Sequence, residues 1–278
     1  MLYLLLAIVS GALISVVMRI SSSRVSGNVA MLAVNYMACT LIAAGYAGFG
    51  TLLPAVPGLG KTVLMGAVHG TLYLLSFVLL QRSIQKSGVV LSSLFQRLGL
   101  LVSLAASVLL FGELPTALQT AGFLIALAAI VLINTEKGTD FRGAGAGLVV
   151  LLVLGGMGDT MSKVFETWGE SVLAPQFLFF TFATALVLCT GLMLYKKQHP
   201  GWRELVFGVL IGIPNFFSAR FLLYALERLP AVVVYPTFSV ATILVVTLAG
   251  VVFFKERLSP RRWAALAIIL AALVLLNI

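Results

Sequence analysis

Of 278 residues, 61% are hydrophobic and only 10% are charged. A water-soluble domain of this length needs a far more polar surface, so the composition excludes a soluble protein. The net charge is +9, but the Lys and Arg residues stand singly or in small groups beside apolar runs, which argues against a nucleic-acid partner.

Apolar runs recur along the whole chain, each near the roughly 20 residues that a helix needs to cross a bilayer. Short connections and the lack of an alternating pattern favour α-helices over a barrel. The predicted fold class is therefore an all-α integral membrane protein with ten transmembrane helices. The predicted spans are residues 2–20, 29–49, 60–82, 88–111, 116–134, 146–167, 173–195, 203–228, 231–254 and 260–277.

The chain contains an internal repeat. Residues 88–134 align with residues 231–277 without a gap, and each stretch consists of two apolar runs joined by a short turn. The turn places Glu113 on Glu256, and each stretch ends with an Asn in register. Leu and Val matches alone would be weak in so apolar a chain, but matched polar residues indicate a duplication.

Extending the alignment backwards predicts two five-helix repeats, residues 1–134 and 144–277, joined by a connecting loop at 135–143. An odd number of spans forces the second repeat to enter the membrane from the opposite side. Such inverted repeats are a recurring transporter architecture, with a central cavity between the halves near the midplane.

Most Lys and Arg residues fall in loops after odd-numbered spans, whereas Lys61 and Arg228 lie in loops on the other side. The positive-inside rule then places both termini outside the cytoplasm.

The repeated turns, Phe111–Thr116 and Phe254–Ser259, resemble the turn of EamA-like transporters in the drug/metabolite transporter superfamily. The resemblance covers essentially the whole chain. It implies a central cavity lined mainly by spans 1, 3, 4, 6, 8 and 9, and a multi-pass inner membrane protein of a bacterium. It also implies cytoplasmic termini, opposite to the charge distribution. Members of the superfamily carry amino acids, nucleotide sugars, sugar phosphates, choline or drugs, so the substrate stays open.

Polar side chains inside spans mark the candidate site, because they are costly in lipid unless they face protein or water. In span 4, Gln96 and Arg97 are predicted to bind substrate; the alternative is a structural Arg97 bonded to carbonyls or to an acid. In span 6, Asp159 and Lys163 are spaced for an i,i+4 pair, and we nominate them for proton coupling. The alternative is a local ion pair near a helix end.

Spans 3, 8 and 9 supply further predicted substrate-binding residues. Pro214 and Pro236 interrupt spans 8 and 9, a feature of broken transporter helices. A lone His in a span is more often a packed core residue than a proton relay. The candidates are His69, Tyr73, Asn215, Arg220, Tyr224, Tyr235 and Thr237.

Embedded cations outnumber the embedded acid, which favours a carboxylate-bearing substrate such as an amino acid or small organic acid, exported by secondary active transport. One alternative is a proton-coupled exporter of cationic drugs or quaternary amines, and another is a flippase of an anionic lipid. Catalytic, phosphate-loop and metal-ligand motifs are lacking, so we expect no enzyme, cofactor or metal. Expected partners are a small-molecule substrate, membrane lipids and protons, with the chain a monomer or homodimer.

Overall fold

The structure is a computed structural model. It describes residues 1–22, 24–87, 92, 95–96, 98–134, 146–254 and 260–278. The connecting loop 135–143 and the turn that contains Glu256 lie outside the described residues.

Ten long α-helices follow one another in the described residues, as the apolar runs predicted. They are α1 (Leu2–Ser22), α2 (Asn28–Ala47), α3 (Leu59–Ser87), α4 (Leu100–Phe111), α5 (Ala117–Asn134), α6 (Ala146–Trp168), α7 (Ala174–Tyr195), α8 (Trp202–Leu226), α9 (Ala231–Phe254) and α10 (Pro260–Leu276). A 3₁₀ turn, Ser171–Leu173, leads into α7.

Seven of these helices are long and apolar enough to cross a membrane: α1, α2, α3, α6, α7 (with the preceding 3₁₀ turn), α8 and α9. The other three, α4, α5 and α10, contribute shorter apolar stretches of 10–17 described residues. The protein is therefore a multi-pass helical membrane protein, while the inversion of its second half stays a prediction.

The helices form two compact units in space. The first unit contains Met1–Leu74 and Val164–Glu227, and the second contains Leu75–Lys163 and Arg228–Ile278. Each unit therefore combines helices from both halves of the sequence. The boundaries between the units fall within α3 and α6, so each of these helices contributes to both units.

In the first unit, α2 is the central helix and packs on α7 and α8, while α1 packs on α8. Two glycines of α8 allow the close approach of α2. A Cβ atom on Gly208 would lie 2.6 Å from the Cβ of Val34, and one on Gly212 would lie 2.7 Å from the Cβ of Ala38. Small residues at four-residue spacing allow such contacts between membrane helices.

The contact of α3 with α7 repeats this arrangement. Gly66 and Gly70 have the same spacing, and they face Phe177 and Thr181 of α7. Under the sequence repeat, these two α7 residues align with the α2 residues that face the α8 glycines. The partner residues are thus equivalent under the repeat, whereas Gly66 and Gly70 are offset by one position from the residues that align with Gly208 and Gly212.

In the second unit, α5 packs along α10, and α9 contacts α4, α5 and α10. Gly122 of α5 lies against Ala272 and Leu275 of α10. The core of the unit is mainly aliphatic, with Ala129, Leu151 and other buried residues of α4, α5, α6, α9 and α10.

Candidate functional site

The predicted site residues fall into both compact units. The first unit holds His69, Tyr73, Asn215, Arg220 and Tyr224, and the second holds Gln96, Asp159, Lys163, Tyr235 and Thr237. Arg97 lies outside the described residues.

In the first unit, the guanidinium of Arg220 is surrounded by tyrosines. Its Nη2 donates a hydrogen bond to the Tyr224 hydroxyl at 2.6 Å. Its Cζ lies 4.3 Å from the ring centroid of Tyr46 and 4.9 Å from that of Tyr224. Aromatic faces attract a cation without neutralising it. Within the described part of the chain, Arg220 has no carboxylate partner, so no carboxylate there neutralises its positive charge.

This cluster lies where the ends of three helices meet. Tyr46 is the penultimate residue of α2, and Tyr3, whose ring centroid is 5.1 Å from that of Tyr224, is near the start of α1. Arg220 is six residues before the end of α8, about 9 Å along its axis. Tyrosines near helix ends are typical of the membrane–water interface. The sequence analysis did not select Tyr3 or Tyr46, and their positions at span ends were the only signal.

His69 lies in an aromatic core of the first unit and is only 2% exposed. Its ring stacks on Phe177 with centroids 5.4 Å apart and meets the edge of Tyr73 at 4.9 Å. Its Nδ1 is 3.4 Å from the Thr181 hydroxyl. These are the surroundings of a packed histidine, and a substrate contact of His69 or Tyr73 stays a prediction.

A polar pair links α2 and α8. The Asn215 amide donates to Oδ1 of Asn35 at 3.2 Å, next to Pro214 inside α8. The thiol of Cys39 donates to the Gly212 carbonyl at 3.2 Å. Asn35 is 1% exposed, so this amide contact satisfies a polar group deep in the packing of the unit.

In the second unit, α6 and α9 are joined near Asp159. The Tyr235 hydroxyl donates to the backbone carbonyl of Asp159 at 2.6 Å. The Asp159 side chain is half-buried, and among the described residues its carboxylate has no ion-pair partner. Tyr235 and Asp159, predicted on separate spans, are therefore neighbours.

Lys163 forms its ion pair across helices. Its Nζ lies 2.9 Å from Oε1 of Glu113, in the turn after α4. The sequence spacing had suggested Asp159 as a neighbour on the same helix face. Glu113 was recognised as a repeat marker but not as a site residue, and its match with Glu256 was the available signal.

The remaining predicted residues of the second unit lie apart from these contacts. Gln96 is exposed. Thr237 is buried in α9, where its hydroxyl accepts a hydrogen bond from Asn277 at 3.2 Å. In the described residues, no group of three or more His, Cys, Asp or Glu side chains could hold a metal ion.

Seven helices that are long and apolar enough to span a bilayer define a multi-pass membrane protein. The sequence model of the EamA-like transporter family matches residues 143–278. The second half of the chain is thus similar to the EamA-like transporters of the drug/metabolite transporter superfamily, and the predicted resemblance is confirmed.

Two similar sequences and one similar solved structure were also found. An uncharacterised protein of Haemophilus influenzae is 24% identical over 71% of this chain and 69% of its own length. A probable 4-amino-4-deoxy-L-arabinose-phosphoundecaprenol flippase subunit, ArnE, of Proteus mirabilis is 28% identical over 36% of this chain and 95% of its own length. A crystal structure aligns with 99% of this chain and 94% of its own, with TM-score 0.78 and 16% identity, which shows a shared fold alone.

Proposed function

We propose that this EamA-family transporter exports a small metabolite that carries a carboxylate, such as an amino acid or small organic acid, by secondary active transport with alternating access. The observation that carries the proposal is the Arg220 guanidinium, which is held by Tyr46 and Tyr224 rather than by a carboxylate of the described chain. A cation that is oriented but not neutralised retains affinity for an anion.

In this proposal, Arg220 binds the anionic group of the substrate in a two-pronged hydrogen-bonded contact. The rings of Tyr46 and Tyr224 hold the guanidinium in place and cover the apolar part of the substrate. Arg97 serves as a second anion-binding residue, as the sequence predicts. Asp159 takes up the coupling proton or the substrate amine, since its carboxylate is half-buried and has no ion-pair partner among the described residues.

Transport of an anionic lipid is the second candidate function. The ArnE proteins of Proteus mirabilis and Pseudomonas savastanoi, 28% and 29% identical over about a third of this chain, are named as subunits of a flippase for a phosphoundecaprenol-linked sugar. The Arg220 cluster lies near helix ends, where lipid phosphates reside, and a guanidinium binds phosphate as well as carboxylate.

The first test uses purified protein in liposomes on a solid-supported membrane. Pulses of glutamate, succinate and tetramethylammonium are applied with and without a pH gradient. The proposal expects a current from a carboxylate that falls at least tenfold in Arg220→Gln. The matched control is Arg203→Gln, which removes an exposed guanidinium bonded to the Arg24 carbonyl and should leave the current unchanged.

Other outcomes decide between the candidates. A current from tetramethylammonium alone, lost in Asp159→Asn, would replace the anion proposal with export of cations. If no solute gives a current, transfer of fluorescent phosphatidylglycerol between leaflets, measured by dithionite quenching, tests the lipid candidate. Lipid transfer that persists unchanged in Arg220→Gln would remove Arg220 from either role.

A further inference from the structure

The turn that marks the sequence repeat has a specific geometry after α4. Gly112 adopts φ +68°, a left-handed conformation that favours glycine, and it ends the helix. The backbone N–H groups of Gly112 and Glu113 both donate to the Ser107 carbonyl. These two hydrogen bonds tie the first residues of the turn to the last part of α4, which fixes the position from which the Glu113 side chain extends.

The Glu113 carboxylate contacts two other helices at once. Its Oε1 forms the ion pair with Lys163 of α6 at 2.9 Å. Its Oε2 accepts the backbone N–H of Val232 in the first turn of α9 at 3.2 Å. The next two N–H groups of α9, those of Val233 and Val234, donate to the Pro230 carbonyl. Glu113 thus supplies, from a distant part of the chain, the cap that the Pro230 side chain cannot provide.

The ion pair is largely buried, so its charges need partners within the protein. The side chains of Lys163 and Glu113 are 9% and 18% exposed, so neither charge is well solvated. A buried ion is costly unless it is paired and hydrogen-bonded. The Glu113 carboxylate has both an ion-pair partner, Lys163, and a hydrogen-bond donor, the Val232 N–H. It also faces the positive end of the α9 dipole.

We propose that Glu113 is a positioning residue, which fixes the first turn of α9 against α6 and thereby sets the place of Tyr235 and Thr237. Tyr235 lies one turn beyond Val232 in α9. Its hydroxyl donates to the carbonyl of Asp159, which stands four residues before Lys163 in α6, so this bond is a second connection between the two helices. A movement of the start of α9 must break the Glu113 contacts or carry the α4–α5 turn with it.

The residues that build this contact are not repeated in the other half of the sequence. The position that aligns with Lys163 is Ile20, which has no charge, and the position that aligns with Gly112 is Lys255. A lysine at the position of Lys163 and a glycine directly before the repeated Glu therefore occur in one half of the sequence only. This assignment makes Lys163 part of the same positioning contact, and it does not depend on which substrate is carried.

The test compares two double variants that both lack the ion pair and differ only in the capping acceptor. Glu113→Gln with Lys163→Met retains an amide oxygen that can accept the Val232 N–H, whereas Glu113→Ala with Lys163→Met does not. Amide hydrogen exchange is measured by mass spectrometry on full-length protein in phosphatidylglycerol/phosphatidylethanolamine nanodiscs. No substrate is needed, so this result is independent of the transport assay.

We expect exchange at residues 231–235 to be about 5- to 30-fold faster in the Ala double variant than in the Gln double variant, as loss of one cap implies. Exchange in α10 and at the start of α8 should be equal in the two proteins. The single variant Glu113→Gln, which leaves Lys163 buried and unpaired by Glu113, should exchange faster than the Gln double variant. Equal exchange of the two double variants at α9, or equal acceleration in every helix, would overturn the proposal.

Discussion

The contact between α8 and α2 gives a quantitative test of the packing. In Gly212→Ala, the new methyl group would lie 2.7 Å from the Cβ of Ala38 and 2.8 Å from the Asn35 carbonyl oxygen. Both distances are well inside van der Waals contact, so the helices must separate. Overpacking of this kind costs roughly 1–3 kcal/mol, and the better helix propensity of Ala returns about 0.5–1 kcal/mol. Taking the middle of each range, the net destabilisation is about 1 kcal/mol.

The measurement is thermal unfolding in detergent, followed by scanning fluorimetry. Since about 1 kcal/mol shifts Tm by roughly 2–4 °C in chains approaching this size, Gly212→Ala should lower Tm by about 2–4 °C. Gly191→Ala in α7 is the matched control, because a Cβ there meets no atom within 4 Å, and its Tm should stay or rise slightly. Adding Ala38→Gly to Gly212→Ala should recover part of the loss. A Gly212→Ala protein as stable as Gly191→Ala would refute the close approach of α2 and α8.

Three further variants test individual polar contacts by the same measurement. Glu204→Ala removes the acceptor for the backbone N–H groups at the start of α2, so stability should fall by about 2 kcal/mol, with Glu204→Gln intermediate. Asn35→Ala should cost about 1–3 kcal/mol because the Asn215 amide loses its acceptor. Asn35→Asp keeps an acceptor oxygen but places a carboxyl group in a buried position, so it should not match the stability of the wild-type protein. Tyr235→Phe removes the 2.6 Å bond to the Asp159 carbonyl and should cost about 1 kcal/mol; an unchanged Tm would argue against that contact.

The sequence predicted the class of the fold because the membrane imposes a simple rule. Backbone polar groups in lipid must be satisfied locally, so a long apolar run can only be a helix, and its ends can be found from composition. The predicted span at 231–254 and the helix α9 have the same limits, for example. The same reasoning selected the Glu of the repeated turn, since a charged residue retained in register stands out in an apolar chain.

The partners of the embedded charges could not be predicted in this way. Spacing along one helix identifies residues that share a face, which is why Asp159 was the neighbour expected for Lys163. The structure instead brings Lys163 to Glu113, fifty positions away, because helix packing determines which side chains meet. Tyr46 and Arg220 likewise come together through the packing of α8 against α2, which the glycines of α8 allow to be close.

The sequence by itself determined a helical membrane protein with a duplicated turn, because hydropathy and periodicity are local properties of the chain. Only the tertiary structure decided which embedded cation is paired with a carboxylate and which is held by aromatic rings. Arg220 has tyrosine faces as partners, whereas Lys163 has a carboxylate. That difference arises from contacts between residues far apart in sequence, where the free energy of a buried ion depends on the few atoms within hydrogen-bonding distance.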